Sequence, residues 1–307
     1  MVQVDETTQG VLNQISEGFE QKGAYNLRQN GIPLCHGDSE HIKIRKKEDK
    51  PGIDILIDGE TKGEKVFIPV VVSVSGMTDL VYNDFYVADG ADVTIVAGCG
   101  IHNDTCDSAE HDGIHTFYVG KNAKVRYVER HYANGSGTGK KVFDPTTKIY
   151  LKEKACFILE STQLGGVTYT DRKTYATVGK EATLLVKEKI LTDHEERAIT
   201  DFKVTLRGKG SRADIVSRSV ARGNSLQHFR SDLIGKNECF GHVECDGIVL
   251  EQARIMSTPK IDAVSTEASL VHEAAVGKIA GEQLVKLMSL GLTEQEAENA
   301  VIQGFLS

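Results

Sequence analysis

Apolar and polar residues alternate with a period of two through most of the middle of the chain. The runs at 183–187 and 204–207 are rich in β-branched and aliphatic residues, and glycine or charged residues bound them. Helical periodicity is absent from this region. The pattern predicts many short strands that are separated by tight turns.

A short motif, roughly Gly-Lys-x-Ala-x-Val, recurs along the strand-rich region. Its copies lie at 90–93, 120–125, 152–157 and 179–184, with looser copies at 208–215 and 235–239. The glycines at 90, 120, 179, 208 and 235 give steps of 30, 59, 29 and 27, and the copy at 152 halves the long step. A unit of about 27–30 residues with short strands and a glycine corner predicts a stacked β-solenoid. A β-sandwich with coincidental spacing is the alternative.

The two ends of the chain follow a different pattern. Residues 5–22 predict a short amphipathic helix, whose apolar side holds Val11, Leu12, Ile15 and Phe19. Near the C-terminus, Leu284, Leu287 and Met288 have helical spacing, and Gly291 breaks that run. Residues 293–296 predict a capping box that starts a last helix, which Gly304 can end. We therefore expect an N-terminal helical or irregular region (1–50), a solenoid core (51–277) and a C-terminal helical region (278–307).

Composition and charge narrow the function. The 307 residues include 36 Lys and Arg against 44 Asp and Glu, a net charge of −8, and no local basic patch offers a nucleic-acid site. No apolar run is long enough for a bilayer, and residues 1–6 lack a signal-peptide pattern, so we expect a cytoplasmic protein. Six cysteines in a chain of this length predict free thiols or ligands, because they are too few for a disulfide framework.

A glycine-rich stretch at 135–140 is similar to a phosphate-binding loop, but Asn134 stands where the first glycine belongs. Lys141 stands where a serine or threonine should bind Mg²⁺. We expect no nucleotide to be bound or hydrolysed by this chain.

Two clusters could carry chemistry. The first holds five thiol or imidazole side chains within seventeen residues, a set that suits zinc or iron: Cys99, His102, Cys106, His111 and His115. Its spacing matches no closed zinc site, and a structural role for these histidines is the alternative.

The second cluster is Cys245 with His272 and Glu273. The separation of 27 residues between Cys245 and His272 equals one repeat, and residues one turn apart lie about 4.8 Å apart in a solenoid. A shift of one residue decides whether His272 or Glu273 faces the cysteine. Together they could hold iron or a nascent cluster. In the alternative, Cys245 is a buried apolar residue and the other two are exposed.

Four segments resemble the SufB/SufD family of iron–sulfur cluster assembly proteins: 217–225, 244–250, 269–279 and 287–297, the last leading to 304–306. The resemblance implies a right-handed parallel β-helix. It also implies dimerisation through the C-terminal part of that core, and a helical tail that binds SufC, an ABC-type ATPase. The partner ATPase would supply the nucleotide chemistry that this chain lacks.

Residue by residue, Cys245 matches the SufB cysteine thought to build the cluster at the dimer interface, and His272 and Glu273 match the His-Glu pair beside it. Residues 97–99 are similar to the SufB segment whose cysteine, here Cys99, accepts sulfur. The resemblance implies an assembly scaffold rather than an enzyme, which receives sulfur from a donor protein and holds iron or a nascent cluster transiently. It implies a homodimer or a pair with a SufB/SufD paralogue.

Two rival functions differ in class. A structural partner that recruits and regulates the ATPase would have inert cysteines. A carbohydrate-acting β-helix enzyme is disfavoured by the 6% aromatic content and the lack of tryptophan. The sulfur donor, the cluster type, the final acceptor and any flavin requirement stay open.

Overall fold

Two sheets of parallel strands wind into a β-solenoid of about eight turns in the computed structural model, which describes residues 3–163 and 165–307. Each turn contributes one strand to each sheet, so strands adjacent in a sheet come from consecutive turns. Sheet 1 contains, in spatial order, β2 (Ile32–Gly37), β1 (Ala24–Gln29), β5 (Lys62–Phe67) with β6 (Val70–Val72), β8 (Asp92–His102), β10 (Lys124–Asn134), β13 (Cys156–Gln163), β15 (Thr183–Thr192), β17 (Ser211–Ala221), β19 (Cys239–Val249) and β21 (Ala268–Gly277).

Sheet 2 forms the opposite wall of the solenoid. It contains, in spatial order, β20 (Arg254–Ala263), β18 (Leu226–Gly235), β16 (Arg197–Leu206), β14 (Tyr169–Val178), β11 (Lys141–Phe143) with β12 (Thr146–Leu151), β9 (Ala109–Val119), β7 (Thr78–Val87), β4 (Gly52–Ile57) and β3 (Ile42–Lys46). The predicted solenoid is therefore confirmed.

The length of one turn varies along the solenoid. Strands of sheet 1 place Asp92, Lys124, Cys156, Thr183 and Arg212 at successive positions of one register, which gives steps of 32, 32, 27 and 29 residues. The first two steps exceed the predicted 27–30. The motif itself marks the turn that leads into each strand of sheet 1, and its alanine is buried in the core at each of the four closest copies.

Most glycines that begin a copy of the motif allow close approach between consecutive turns, and Gly90 alone among them has a positive φ. The left-handed position before the buried alanine is taken by Asn122, Lys154 and Glu181, with φ of 56°, 58° and 54°. Gly179 of the motif has no positive φ, but a Cβ there would lie 2.5 Å from the Leu151 carbonyl oxygen of the previous turn. The stacked turns touch at such points because no side chain separates them.

Side chains that point inward fill the solenoid and form one long core. Phe85 and Phe117 stack with ring centroids 4.3 Å apart, and Phe157 meets Phe117 edge to face at 5.0 Å. Each fully buried ring of this kind contributes about 2–3 kcal/mol through the water it excludes. The strict alternation of buried and exposed residues along the strands fixes the register, because a slip of one residue would expose the whole inward set.

Two antiparallel hairpins, β1–β2 and β3–β4, lie at the N-terminal end of the solenoid, one in each sheet. Helix α1 (Glu6–Ile15) packs on the outer face of sheet 1 over β8. A Cβ on Gly98 would lie 2.4 Å from the Ile15 carbonyl oxygen, so the helix rests directly on the strand backbone. The helix ends at Ile15, and the expected extension to residue 22 was wrong.

Helices α2 (Gly281–Ser289) and α3 (Glu294–Leu306) follow the last strand. A small cluster around Val220, Ile279 and Ile302 holds them against sheet 1. The predicted capping box is confirmed, since the Thr293 side chain accepts from the Glu296 amide and the Glu296 side chain accepts from the Thr293 amide. Gly304 lies inside α3, so the expected stop there was wrong.

Candidate functional site

Cys99 points into the solenoid from β8 and is 3% exposed. In the register of sheet 1, Val70 of the preceding turn and His131 of the following turn stand on either side of it. Its chain neighbours on the same strand, Gly98 and Gly100, carry α1 on the outer face. The sulfur is therefore enclosed by protein on the outside and by neighbouring rungs along the axis.

His111 approaches Cys99 from sheet 2. Its Nδ1 lies 3.1 Å from a carboxylate oxygen of Asp79, and Arg28 donates two hydrogen bonds of 2.7 and 3.0 Å to that carboxylate. Burial alone would lower the pKa of His111, but the Cys99 sulfur and Asp79 raise it to about 10. The ring is thus a cation beside the Cys99 sulfur.

A second buried group continues along the axis. Arg172 of β14 donates to the Glu129 carboxylate, and its Nη2 lies 2.9 Å from Nδ1 of His131. Burial opposes ionisation of Glu129, yet Arg172 holds the pKa of that carboxyl at about 2. Burial and the same guanidinium lower the pKa of His131 to about 3, so its ring is neutral.

Glu188 is the next buried carboxyl along the axis. It accepts hydrogen bonds from the hydroxyls of Ser217, at 2.8 Å, and Thr200, at 3.1 Å, and Arg172 Nε lies 3.7 Å away. Burial raises its pKa, and Arg172 offsets that effect only in part.

These groups form a buried polar column that ends at Cys245. Consecutive rungs of sheet 1 place in one register, all pointing inward, Glu129, Ser161, Glu188, Ser217 and Cys245. Burial raises the pKa of the Cys245 thiol to about 11, and the Ser257 hydroxyl offsets only part of that rise. Cys99 and Cys245 are five strand steps apart on the same sheet, or about 24 Å along the axis.

His272 and Glu273 lie on β21, the strand beside Cys245, as the repeat predicted. The partner of Cys245 in the register is Ala274, a step of 29 residues, so His272 pairs with Val243 and Glu273 with Glu244. His272 shares the inward face with Cys245, whereas Glu273 points outward near His242. Nε2 of His272 is buried and has no hydrogen-bond partner among residues 3–163 and 165–307. Burial and His242 lower the pKa of this ring, so it offers a neutral nitrogen.

The remaining residues of the first cluster lie on different faces. His102 lies 2.8 Å from both Asn134 and Asp104 on the outer side, and Cys106 is exposed in a loop. His115 is buried in the core, where its Nδ1 lies 2.6 Å from the Tyr127 hydroxyl. Burial lowers the pKa of His115 to about 4.

A separate acidic group lies on the outer face of sheet 2. Glu110, Asp112 and Asp144 have carboxylate oxygens within 4.8 Å of one another, and they are the one set of three such ligands in the described chain. Burial and the Glu110 charge raise the pKa of Asp112 to about 6.

Several buried charges were missed by reasoning from the sequence alone: Asp79, Glu129, Arg172 and Glu188. The sequence does contain a signal for them, because each is a charged residue at an inward position of a strand in which apolar and polar residues alternate. A charge at such a position is costly unless it is paired. No helix of the described residues has the length and apolar character needed to cross a bilayer.

Comparison with known proteins gives a consistent result. A family model described as SUF system FeS cluster assembly, SufBD core domain, matches residues 80–305. An iron–sulfur cluster assembly SufBD family protein of Archaeoglobus fulgidus is 32% identical over 278 residues, which cover 89% of this chain and 73% of the relative. One of Methanocaldococcus jannaschii is 26% identical over 287 residues, or 91% and 89% of the two chains.

A relative of the same description from Methanothermobacter thermautotrophicus is 32% identical over 229 residues, which cover 74% of this chain. The chain spans 55% of that relative's length.

Proposed function

Because the chain belongs to the SufBD family of iron–sulfur cluster assembly proteins, we propose that it is a scaffold that receives sulfur on Cys99 and builds a nascent cluster at Cys245. Iron and sulfur are its substrates, and it needs no nucleotide of its own. ATP hydrolysis is assigned to a SufC-like partner.

The observation that carries this proposal is the buried polar column between the two cysteines. Charged and hydroxyl side chains inside an apolar solenoid cost free energy relative to well-packed apolar residues. A line of them that runs rung by rung towards Cys245 is better explained by traffic of a polar cargo than by stability.

The environment of Cys99 suits acceptance of sulfur. The thiolate attacks the outer sulfur of a donor persulfide, R–S–SH, and forms Cys99–S–SH while the donor S–S bond breaks. The leaving thiolate, R–S⁻, takes a proton from the His111 imidazolium. Asp79 and Arg28 hold the imidazole in place and balance its charge.

The environment of Cys245 suits iron in a different way. The unpartnered Nε2 of His272 and the Cys245 sulfur lie on the same inward face of adjacent strands, and both are ligands that iron accepts. Glu273 lies on the opposite face within one chain. We propose that Glu273 joins the site after a rearrangement of β21 or from a second copy.

The open end of the solenoid supports such a second copy. β20 and β21 are the last strands of their sheets, and Ile261, Val264 and Val276 are between 44% and 62% exposed there. Unpaired strand edges with apolar side chains are suited to pairing with another chain. A homodimer, or a dimer with a SufB/SufD paralogue, would cover these edges and bring two Cys245 sites together.

The C-terminal helices offer the surface for the ATPase. α2 leaves Val285, Met288 and Leu290 exposed, while α3 is anchored to the solenoid by Arg218, which donates to the Phe305 carbonyl oxygen at 3.3 Å. A partner that closes on ATP binding could transmit strain through α3 to β17 and β19, which carries Cys245.

Anaerobic reconstitution with iron and a persulfide donor tests the proposal. We expect the parent chain and Cys156→Ser, a control on the same sheet, to develop the visible absorption of a cluster. Cys245→Ser should lose it, and Cys99→Ser should lose it with persulfide but keep it with free sulfide. Equal cluster formation by Cys245→Ser would overturn the assignment. Full ATPase binding without iron or sulfur uptake by the parent chain would instead favour the structural-partner function.

A further inference from the structure

The N-terminal end of the solenoid contains a cavity of about 610 Å³ between the β1–β2 and β3–β4 hairpins. Its lining combines charged and polar residues with an apolar set that includes Ile44, Ile53, Ile68, Val70 and Val81. Asn26 and Arg28 point into it from β1. A cavity of this size falls within the range that holds small molecules rather than folded domains.

The cavity ends one rung from Cys99. In the register of sheet 1, Arg28, Val70 and Cys99 occupy consecutive positions on β1, β6 and β8. Neighbouring strands are about 4.8 Å apart. Arg28 and Val70 both line the cavity, so one layer of side chains separates its inner wall from the sulfur.

Other approaches to Cys99 are closed by helix α1 and by the buried side chains of the next turn. On the outer face, α1 lies so close to β8 that Gly98 and Gly100 have no room for a Cβ. Along the axis in the other direction, His131 fills the next rung and stacks on Phe143 at 4.7 Å. On the cavity side a single layer of side chains, Arg28 and Val70, separates the open space from the sulfur, and side chains can rotate.

We propose that this cavity is the port through which sulfur reaches Cys99, and that it admits a low-molecular-weight persulfide such as cysteine hydropersulfide. The inference rests on the proposed role of Cys99 as sulfur acceptor and names the class of donor. The reaction is the transfer given above, with the small thiolate leaving through the cavity and carrying the proton from His111. Free sulfide is excluded as the donor, because it would need an oxidant to form the S–S bond.

Size selects the donor more than charge does. Lys46 and Lys50 stand at the cavity together with Glu48 and Asp49. Lys47 is paired with Asp54 and Asp84, and Arg28 is paired with Asp79. The charges of the lining are thus nearly balanced, while the two hairpins limit the width of what can enter.

A chain that keeps Cys99 and replaces the other five cysteines by serine allows the port to be measured. Alkylation of Cys99 by iodoacetamide, followed by mass spectrometry, reports access without any sulfur chemistry. We expect Asn26→Trp to slow alkylation at least tenfold and Asn26→Ala to accelerate it. Asn299→Trp, an exposed change on α3, should leave the rate unchanged. Circular dichroism verifies the fold of each variant.

Loading with cysteine hydropersulfide should follow the same order of rates as alkylation. A folded Asn26→Trp chain that is alkylated as fast as the parent would overturn the port. A protein persulfide that loads Cys99 as fast as the small donor, with no effect of Asn26→Trp, would overturn the donor class. If alkylation follows the expected order but no sulfane sulfur is found on Cys99, the port stands and the acceptor role fails.

Discussion

Cys245 stands in register with Ala274, and the residue before it, Glu244, stands in register with Glu273. The single-residue offset places Glu273 on the outer face of sheet 1, while His272 keeps the inward face of Cys245. The two family-matched residues beside the cysteine are therefore not equivalent in the isolated chain.

The offset predicts unequal effects of two substitutions on iron binding. His272→Ala should weaken the binding of Fe²⁺ to the isolated chain by tenfold or more, because it removes the unpartnered buried nitrogen. Glu273→Gln should change the Fe²⁺ affinity of the isolated chain by less than threefold, because Glu273 is expected to contribute to the site only in the assembled complex. Anaerobic titration followed by absorbance distinguishes them, and an equal loss in the isolated chain would contradict the register argument.

Arg172 is expected to be the most sensitive residue of the interior. Arg172→Met keeps the length and removes the charge, which leaves the Glu129 carboxylate buried without its cation. The loss should be about 3–5 kcal/mol of unfolding free energy. Glu188→Gln is the matched control, since the amide oxygen still accepts from one of the Ser217 and Thr200 hydroxyls and the amide NH2 donates to the other, and it should cost about 1 kcal/mol. Urea denaturation measures both, and similar losses would refute the ranking.

The acidic group on sheet 2 predicts a pH effect on stability. Asp112 has a pKa of about 6 in the folded chain against 3.8 as its ordinary value, so the folded state binds more protons between about pH 4 and 6. Stability should fall as the pH rises through that window and stay lower above it. Asp112→Asn should remove this dependence and stabilise the chain at pH 7 by about 1 kcal/mol, a value reduced for the half-exposed position.

Thermal unfolding of Asp112→Asn at pH 4.5 and pH 7.5 provides the measurement. Asp262→Asn, an exposed change on β20, serves as the control and should give the pH dependence of the parent. If the difference in stability between the parent chain and Asp112→Asn is the same at pH 4.5 and pH 7.5, repulsion between Asp112 and Glu110 is ruled out.

The contact between α1 and β8 predicts opposite effects of two glycine substitutions. Gly98→Ala would place a Cβ 2.4 Å from the Ile15 carbonyl oxygen, so it should displace the helix and cost about 1–3 kcal/mol. Gly10→Ala lies within α1 with open space around it and should stabilise by about 0.5–1 kcal/mol. Chemical denaturation of both variants checks the signs, and two changes of the same sign would contradict the contact.

The fold could be predicted because stacking is encoded locally. Each copy of the motif marks a corner of the solenoid, and the alternation of apolar and polar residues indicates which face of each strand points inward. The exact number of residues per solenoid turn could not be predicted, because the corners that lead into sheet 2 differ in length along the chain and the motif does not mark them. The step of 27 expected at Cys245 came from the glycines at 208 and 235, which do not hold equivalent positions before their strands; the register gives 28 residues between β17 and β19 and 29 between β19 and β21.

The site was only partly accessible for the same reason. Cys99, Cys245 and His272 were predicted as site residues from residue type and resemblance, but the side chains that surround them come from the other sheet or from other turns. Asp79 reaches His111 and Arg28 across 32 and 51 residues, and Arg172 reaches Glu129 across 43. No local pattern identifies such pairs, although a charged residue at an inward strand position indicates that a buried partner exists.

A stack of rungs is held together by nearest neighbours only, so the two ends can loosen independently. Fraying of the hairpins at the first rungs would uncover Cys99 and leave Cys245 clamped, while strain arriving through the last helices would do the reverse. Under the proposed function, sulfur loading at Cys99 and cluster release at Cys245 would then be controlled separately, although a single continuous wall encloses both thiols.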